Sequence, residues 1–251
     1  MLKTIIIVPC YNEAKRLDLS KFSIYLRKHH NIFFCFVNDG SKDKTLAILN
    51  EFAEDFKERV FVHSYVLNKG KANAIQSGVQ YAITNIPGEL IGYWDADLAV
   101  GLNEISRMQE IFNHKPHLQV LMGARVKLLG FKIIRKPWRH YLGRIFATAA
   151  SLLLAMPVYD TQCGAKLFRR DCAQAVFNKV FATSWIFDVE MLQRLKKWLL
   201  KTMKADKHKL EEYINELPVL AWQEVAGSKI KLRHYFLALL DFIELFKQRN
   251  N

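Results

Sequence analysis

Short strand-like runs, each ending in a polar cluster, constrain this chain more than any other feature. Residues 4–8, 32–37 and 90–94 are nearly unbroken apolar runs, and 60–66 is a fourth, more mixed run. A run without polar alternation suits a strand buried on both faces, as in a parallel sheet. Segments with apolar residues at helical spacing separate the runs, at 18–30, 43–55 and 71–84. Strands alternating with helices imply an α/β fold of right-handed βαβ units. The sheet is then mostly parallel and twisted, with helices on both faces. Ligands on such sheets bind beyond the carboxyl ends of the strands. Those ends carry Tyr11-Asn12-Glu13, Asn38-Asp39-Gly40-Ser41, Asn68-Lys69-Gly70-Lys71 and Asp95-Ala96-Asp97. All four clusters are therefore expected on one edge.

The last cluster has a chemistry of its own. Side chains two apart on a strand share a face, so Asp95 and Asp97 point the same way if the extended form continues through them. Paired carboxylates suit a hard divalent cation such as Mg²⁺ that already carries phosphate oxygens. Elsewhere the first strand is expected to stop at Pro9, and Ser41 or Asp43 to cap the second helix. A helix over 103–113 and a fifth strand over 118–124 complete this half. The second half opens with a basic, aromatic stretch over 132–144 and an apolar helix-like segment to Met156. A loop from Asp160 leads into a strand around Leu167-Phe168, and a helix is expected over 187–200. A charged loop over 202–209, an edge strand over 217–224 and an amphipathic C-terminal helix over 230–251 close the chain.

Composition narrows the function classes. Apolar residues make up 51% of 251, enough for a sizeable core, which argues against disorder. Lys and Arg number 37 against 24 acids, a net +13, so a polyanionic partner is expected: nucleic acid, an anionic membrane or nucleotide phosphates. Cys10, Cys35, Cys163 and Cys172 match no zinc or redox spacing and read as reduced core residues of a cytosolic protein. No signal peptide is expected before the first strand, and the longest apolar run, 145–158, is too short and interrupted to span a bilayer. Neither a dinucleotide fingerprint nor a P-loop is present.

Taken together, Val8-Pro-Cys-Tyr-Asn-Glu13, Val37-Asn-Asp-Gly-Ser41, Asn68-Lys-Gly-Lys-Ala72 and Trp94-Asp-Ala-Asp97 resemble family-2 glycosyltransferases of the GT-A (nucleotide-diphospho-sugar transferase) fold, in order and spacing. Gly123-Ala-Arg125, the run Asp160-Thr-Gln-Cys-Gly-Ala-Lys-Leu-Phe168, Trp185-Ile-Phe-Asp-Val-Glu190 and the segment from Glu224 to Lys229 look like dolichyl-phosphate β-glucosyltransferases. Polyprenyl-phosphate mannosyl synthases share a looser version. Ala99 departs from the Gln that many mannosyl synthases carry at this point.

The resemblance implies a UDP-sugar donor and a polyprenyl phosphate acceptor. Pro9, Tyr11, Asn12, Glu13 and Asp39 would hold base and ribose, with Lys69 and Lys71 near base or phosphates. Asp95, Ala96 and Asp97 would meet ribose and metal, the carboxylates binding Mg²⁺ or Mn²⁺. Arg125 and Arg139 would meet the acceptor phosphate, and Gln162, Lys166, Trp185, Asp188 and Lys229 would line the sugar and acceptor side. A catalytic unit over 1–229 is expected, with a nucleotide half to 125 and an acceptor half from 126. Within it, 132–157 faces a membrane, and the helix over 230–251 follows. The enzyme would sit peripherally on a cytoplasmic membrane face, alone, as a homodimer or with a membrane protein, without nucleic acid. A hydroxyl acceptor activated by Asp160 or Asp188 is the rival chemistry, and a basic RNA-binding protein the rival class.

Overall fold

The computed structural model describes residues 2–134, 137–223, 241–242 and 245–246, with the side chains of 137–140 outside that description. A seven-stranded sheet is its frame. The strands are β1 (Thr4–Cys10), β2 (Ile32–Asp39), β3 (Val60–Tyr65), β4 (Leu90–Trp94), β5 (Val120–Ala124), β7 (Ala165–Arg169) and β8 (Ile214–Pro218), in the order β3-β2-β1-β4-β7-β5-β8. All neighbours are parallel except at β7, which runs antiparallel to both β4 and β5. A separate parallel pair joins β6 (Lys132–Ile134) to β9 (Ala221–Gln223).

Strand alternation sorts the core into two layers. Ile5, Ile7, Cys35, Val37, Ile91 and Tyr93 face one side, Ile6, Val8, Phe34, Phe36, Leu90 and Trp94 the other. The first side is covered by α3 (Lys71–Asn85), α5 (Pro137–Leu154), α6 (Arg170–Val176) and α7 (Phe187–Lys201). On the second lie α1 (Leu19–Lys28), α2 (Thr45–Asp55) and α4 (Asn103–His114). Phe22 of α1 wedges edge-on between Phe34 and Phe36, at 5.0 and 5.2 Å. Burying one such ring stabilises the fold by roughly 1.5–3 kcal/mol.

Several sequence expectations need correction. β1 runs through Pro9 to Cys10, because its pairing with β4 ends at Ile7 and leaves an edge where a missing N–H is tolerated. The expected strand over 217–224 is two strands, β8 and β9, and β6 and α6 were not foreseen. Asp43, not Ser41, accepts the Thr45 N–H at the start of α2 (3.0 Å), while Ser41 accepts the Asn12 N–H (3.0 Å). The C-terminal helix expected over 230–251 lies largely outside the described residues, and of those described Phe246 stays exposed while the others meet the core. Leu245 is fully buried, Phe242 meets Phe146 at 5.2 Å, and Asp241 accepts the Trp185 N–H at 3.0 Å. All four cysteines are free and buried, as expected.

Candidate active site

Strand order decides where the polar clusters go. β3, β2, β1 and β4 are parallel neighbours, so their trailing loops leave from the same edge. Because β7 is antiparallel, its first residue, Ala165, sits beside the last residue of β4, Trp94. The segment leading into β7 therefore reaches the same edge, as does Arg125 just past β5.

The loops are tied to one another by backbone amides. Asn12 accepts the Lys42 N–H (2.8 Å), Thr45 Oγ1 accepts the Glu13 N–H (2.9 Å) and Asp43 the Ala14 N–H (3.2 Å). Asp39 is buried and accepts the N–H groups of Lys69 (2.7 Å) and Gly70 (2.9 Å) and the Asn68 amide (2.8 Å). Its carboxylate thus ties the end of β2 to the loop before α3. Gly40 makes this closeness possible: at φ +64° a Cβ would sit 2.5 Å from the Asn68 nitrogen. Lys69 turns its ammonium away, over the Tyr65 ring at 4.4 Å. Pro9 and Tyr11 are half-buried and Asn12 exposed at this edge.

The two aspartates converge, though not by strand alternation. β4 ends at Trp94, and a turn closed by the Leu98 N–H on the Asp95 carbonyl (3.1 Å) carries Ala96 and Asp97. Asp97 accepts the Ala99 N–H (3.1 Å), and Leu98 takes a left-handed φ of +51°. Such backbone costs about 1 kcal/mol or more and persists only where its surroundings enforce it. Lys71 pairs with Asp95 at 2.5 Å, and Arg16 stands 3.1 Å from Glu13 and 3.7 Å from Asp97. Burial and the Asp95 charge raise the Asp97 pKa. Desolvation works against the Lys71 ammonium, but Asp95, Asp188 and Asp97 outweigh it and its pKa rises. A site that pushes protons toward a carboxylate gains by holding a cation instead. Among the described residues, no third carboxylate, His or Cys joins the pair as a metal site. A divalent ion held by Asp95 and Asp97 would thus need further oxygens, which a diphosphate supplies.

The part of the edge built on β5 and β7 is paired differently. Arg125 grips Asp160 with both prongs, at 2.7 Å each, and adds its own N–H at 3.0 Å. Burial acts to raise the Asp160 pKa, but Arg125 prevails and holds it at about 2. Glu216 of β8 fixes this turn from behind, accepting the N–H groups of Tyr159 (2.8 Å) and Asp160 (2.7 Å). Lys166 was expected to line the acceptor side. Instead it is fully buried and donates to the Cys163 carbonyl and to Asp188, 2.7 Å each. Tyr93 donates a short hydrogen bond to the same Asp188 oxygen. Glu190, two residues on, serves structure, receiving the Thr183 N–H and hydroxyl, both 2.9 Å. Gly164 joins the two halves. Its carbonyl accepts the Asp95 N–H (2.9 Å), and a Cβ there would overlap the Asp95 carboxylate.

Asp39, Lys71, Asp95, Asp97, Arg125, Gln162 and Asp188 thus belong to one connected edge. Trp185 is half-buried against the α7 side of the core. The side chain of Arg139 and the whole of Lys229 lie outside the described residues. Sequence reasoning missed Arg16, Tyr93 and Glu216. Arg16 follows the first cluster by only three residues and was the one within reach of sequence.

The sequence description of glycosyl transferase family 2 matches residues 5–177. A dolichyl-phosphate beta-glucosyltransferase of Trichomonas vaginalis is 31% identical over 255 residues, covering 96% of this chain and 70% of its own. The dolichyl-phosphate beta-glucosyltransferase of Homo sapiens is 30% identical over 239 residues, covering 90% and 68%. Among solved structures, a Pyrobaculum calidifontis mannosyltransferase in complex with GDP-Man and Mn²⁺ superposes with a TM-score of 0.62 at 14% identity, over 99% of this chain and 64% of that one. Glucosyl-3-phosphoglycerate synthase from Mycobacterium tuberculosis, in complex with UDP, gives 0.63 at 14% identity, over 98% and 80%. At that identity the likeness speaks for the fold, which is the expected GT-A architecture. With more than half its length matched by the family description, the chain is a glycosyltransferase and belongs to glycosyltransferase family 2.

Proposed function

We propose that this enzyme moves a hexose, glucose in first place, from a UDP-sugar to a polyprenyl phosphate by direct displacement with inversion. One observation supports the choice of acceptor: the two carboxylates named above as candidate bases already hold cations or hydroxyls of the protein. Asp160 is locked to Arg125 with a pKa of about 2, and Asp188 Oδ1 takes bonds from Lys166 and Tyr93. A base whose pKa lies far below the working pH removes a proton poorly. A phosphate monoester, with second pKa near ~6, needs no such help, because it arrives largely dianionic. The rival hydroxyl-acceptor chemistry would have to draw its base from Asp188, whose Oδ1 already accepts from Lys166 and Tyr93.

The donor side fits a metal-held diphosphate. Asp95 and Asp97 would hold Mg²⁺ or Mn²⁺, and the ion would stabilise the charge of the departing diphosphate. Lys71 and Arg16 stand beside those carboxylates as resident cations. The names of the relatives support dolichyl phosphate as the lipid class and a glucosyl donor.

A membrane-resident acceptor calls for peripheral attachment at a cytoplasmic face. No helix among the described residues is long and apolar enough to cross a membrane. α5 instead exposes Tyr141 (69%), Ile145 (67%) and Leu152 (72%) along one outward stripe, with Leu129 and Ile134 exposed nearby in sequence. Such a surface suits insertion into a headgroup region. The test is transfer of radiolabelled sugar from UDP-glucose, UDP-N-acetylglucosamine and GDP-mannose to citronellyl phosphate and to citronellol, with Mn²⁺. Product from UDP-glucose and the phosphate alone is expected. Product from the alcohol would overturn the reading.

A further inference from the structure

Lys71 sits where helix physics would not place it. It is the first residue of α3, and that helix carries no acid in its first turn. A cation there opposes the helix dipole, which favours a negative group at its N-terminus. What holds the ammonium is Asp95, at 2.5 Å, and the Asp188 and Asp97 carboxylates act on it as well. Asp97 meets a second cation, Arg16, at 3.7 Å, which Glu13 shares at 3.1 Å. The helix loses by this lysine, so the anions around it explain its place.

Exposure decides which ion pair at this edge can exchange partners. The Lys71 and Asp95 side chains are 44% and 37% exposed. Those of Lys166 and Asp188 are 0% and 8% exposed, and those of Arg125 and Asp160 15% and 9%. An exposed pair contributes little net stability and opens readily, whereas opening a buried pair strands a charge away from water. Lys71 is therefore the cation that can leave its carboxylate. While it stays, it takes up the negative charge that a divalent ion needs and repels such an ion at close range. A diphosphate changes the balance, because its oxygens offer the ammonium a second partner on a long, flexible stem.

We infer that Lys71 is an exchangeable counter-ion: it holds Asp95 against a divalent ion that arrives alone, and passes to the diphosphate when ion and nucleotide arrive together. This rests on the metal-held donor proposed above and goes beyond it, because it sets how the site is loaded. Metal and nucleotide each bind weakly by themselves, and each strengthens the other by the same factor, as linkage requires. The ammonium that opposes the bare ion is the same group that rewards the complete pair. Removing its charge therefore moves the two affinities in opposite directions.

The full chain is titrated by calorimetry with Mn²⁺ alone, UDP alone and UDP at saturating Mn²⁺, and free Mn²⁺ is followed by electron paramagnetic resonance. After allowance for the Mn²⁺–UDP complex in solution, each ligand should tighten the other about tenfold in the wild type. Lys71→Met removes the charge and keeps the stem. It should bind Mn²⁺ alone about tenfold more tightly, and UDP at saturating Mn²⁺ about tenfold more weakly. A lysine that only supported the fold would weaken both. Lys71→Arg keeps the charge and should leave Mn²⁺ alone as weakly bound as in the wild type. Mn²⁺ affinity in Lys71→Met within about twofold of wild type, or lower, overturns the assignment, and so does equal tightening in Lys71→Arg. Wild-type coupling below about twofold overturns it without any variant. If both ligands behave as expected and no sugar reaches citronellyl phosphate, the proposed acceptor falls and this assignment stands. If transfer from UDP-glucose proceeds while Mn²⁺ affinity is unmoved in Lys71→Met, this assignment falls and the proposed function stands.

Discussion

The two halves of the active edge solve the same problem, holding charge in place, in opposite ways. On the donor side, carboxylates and amides of one loop accept the backbone N–H groups of the next: Asp39 takes Lys69 and Gly70, Asp43 takes Ala14, and Asn12 takes Lys42. Asp95 meets Lys71 and Asp97 meets Arg16. On the acceptor side, side chains neutralise one another in buried pairs, Arg125 with Asp160 and Lys166 with Asp188. Under the proposed function, the first arrangement would leave negative charge for a metal ion that carries a diphosphate. The second neutralises each cation with a carboxylate and leaves neither Arg125 nor Asp160 unpaired. The difference is what the proposed function builds on: a nucleophile that arrives already ionised would need no base from the paired side.

The largest expected effect breaks the donor side. Asp97→Ala should lower turnover roughly a thousandfold, the several kcal/mol that Lewis-acid stabilisation of a leaving group supplies. Sugar-transfer rates beside an unchanged melting temperature check this, and unchanged turnover refutes the metal role. Next comes the acceptor side. Asp160→Asn should cost about 3 kcal/mol of stability, because it leaves Arg125 buried without its counter-charge. The sign with pH follows from Asp160, whose pKa of about 2 lies below its ordinary 3.8. A depressed carboxyl pKa stabilises the folded state above pH 3.8, by about 2 kcal/mol, and that share is lost as pH falls toward 2. Urea denaturation at pH 7 and pH 3 should show the gap between wild type and variant narrowing; a constant gap would contradict the pairing.

Smaller effects sharpen the comparison. Gly164→Ala places a methyl on the Asp95 carboxylate and should reduce turnover by about a hundredfold, through misplacement alone. A variant that keeps wild-type rates would show that Asp95 is free to move. Asp39→Asn should destabilise by roughly 1.5–2 kcal/mol, the worth of charged over neutral acceptance of two amides, and should weaken UDP binding with it. Calorimetry that finds UDP affinity intact would separate the loop before α3 from the donor pocket.

How much of this was readable in the chain follows the same divide. The donor loops each lie within one βα unit, so strand periodicity and turn chemistry placed Asn12, Asp39, Lys71 and Asp95 on one edge before any coordinates. What sequence could not show was that Asp39 spends its carboxylate on Lys69 and Gly70, or that a turn rather than a strand brings Asp97 beside Asp95. The other part of the edge depends on β7 entering antiparallel between β4 and β5, which no local period records. Arg125 meets Asp160 and Lys166 meets Asp188 only because of that insertion. Lys166 therefore looked like a substrate ligand from its motif and is instead a buried counter-ion.

The most direct measurement is the pH dependence of kcat/KM with two acceptors whose phosphoryl groups differ in second pKa, a polyprenyl phosphate and the matching phosphonate. The account predicts an acid limb near ~6 for the phosphate, set by ionisation of the nucleophile, that shifts upward with the phosphonate. A limb that stays at one pH for both acceptors would belong to a carboxylate of the enzyme, and would contradict it.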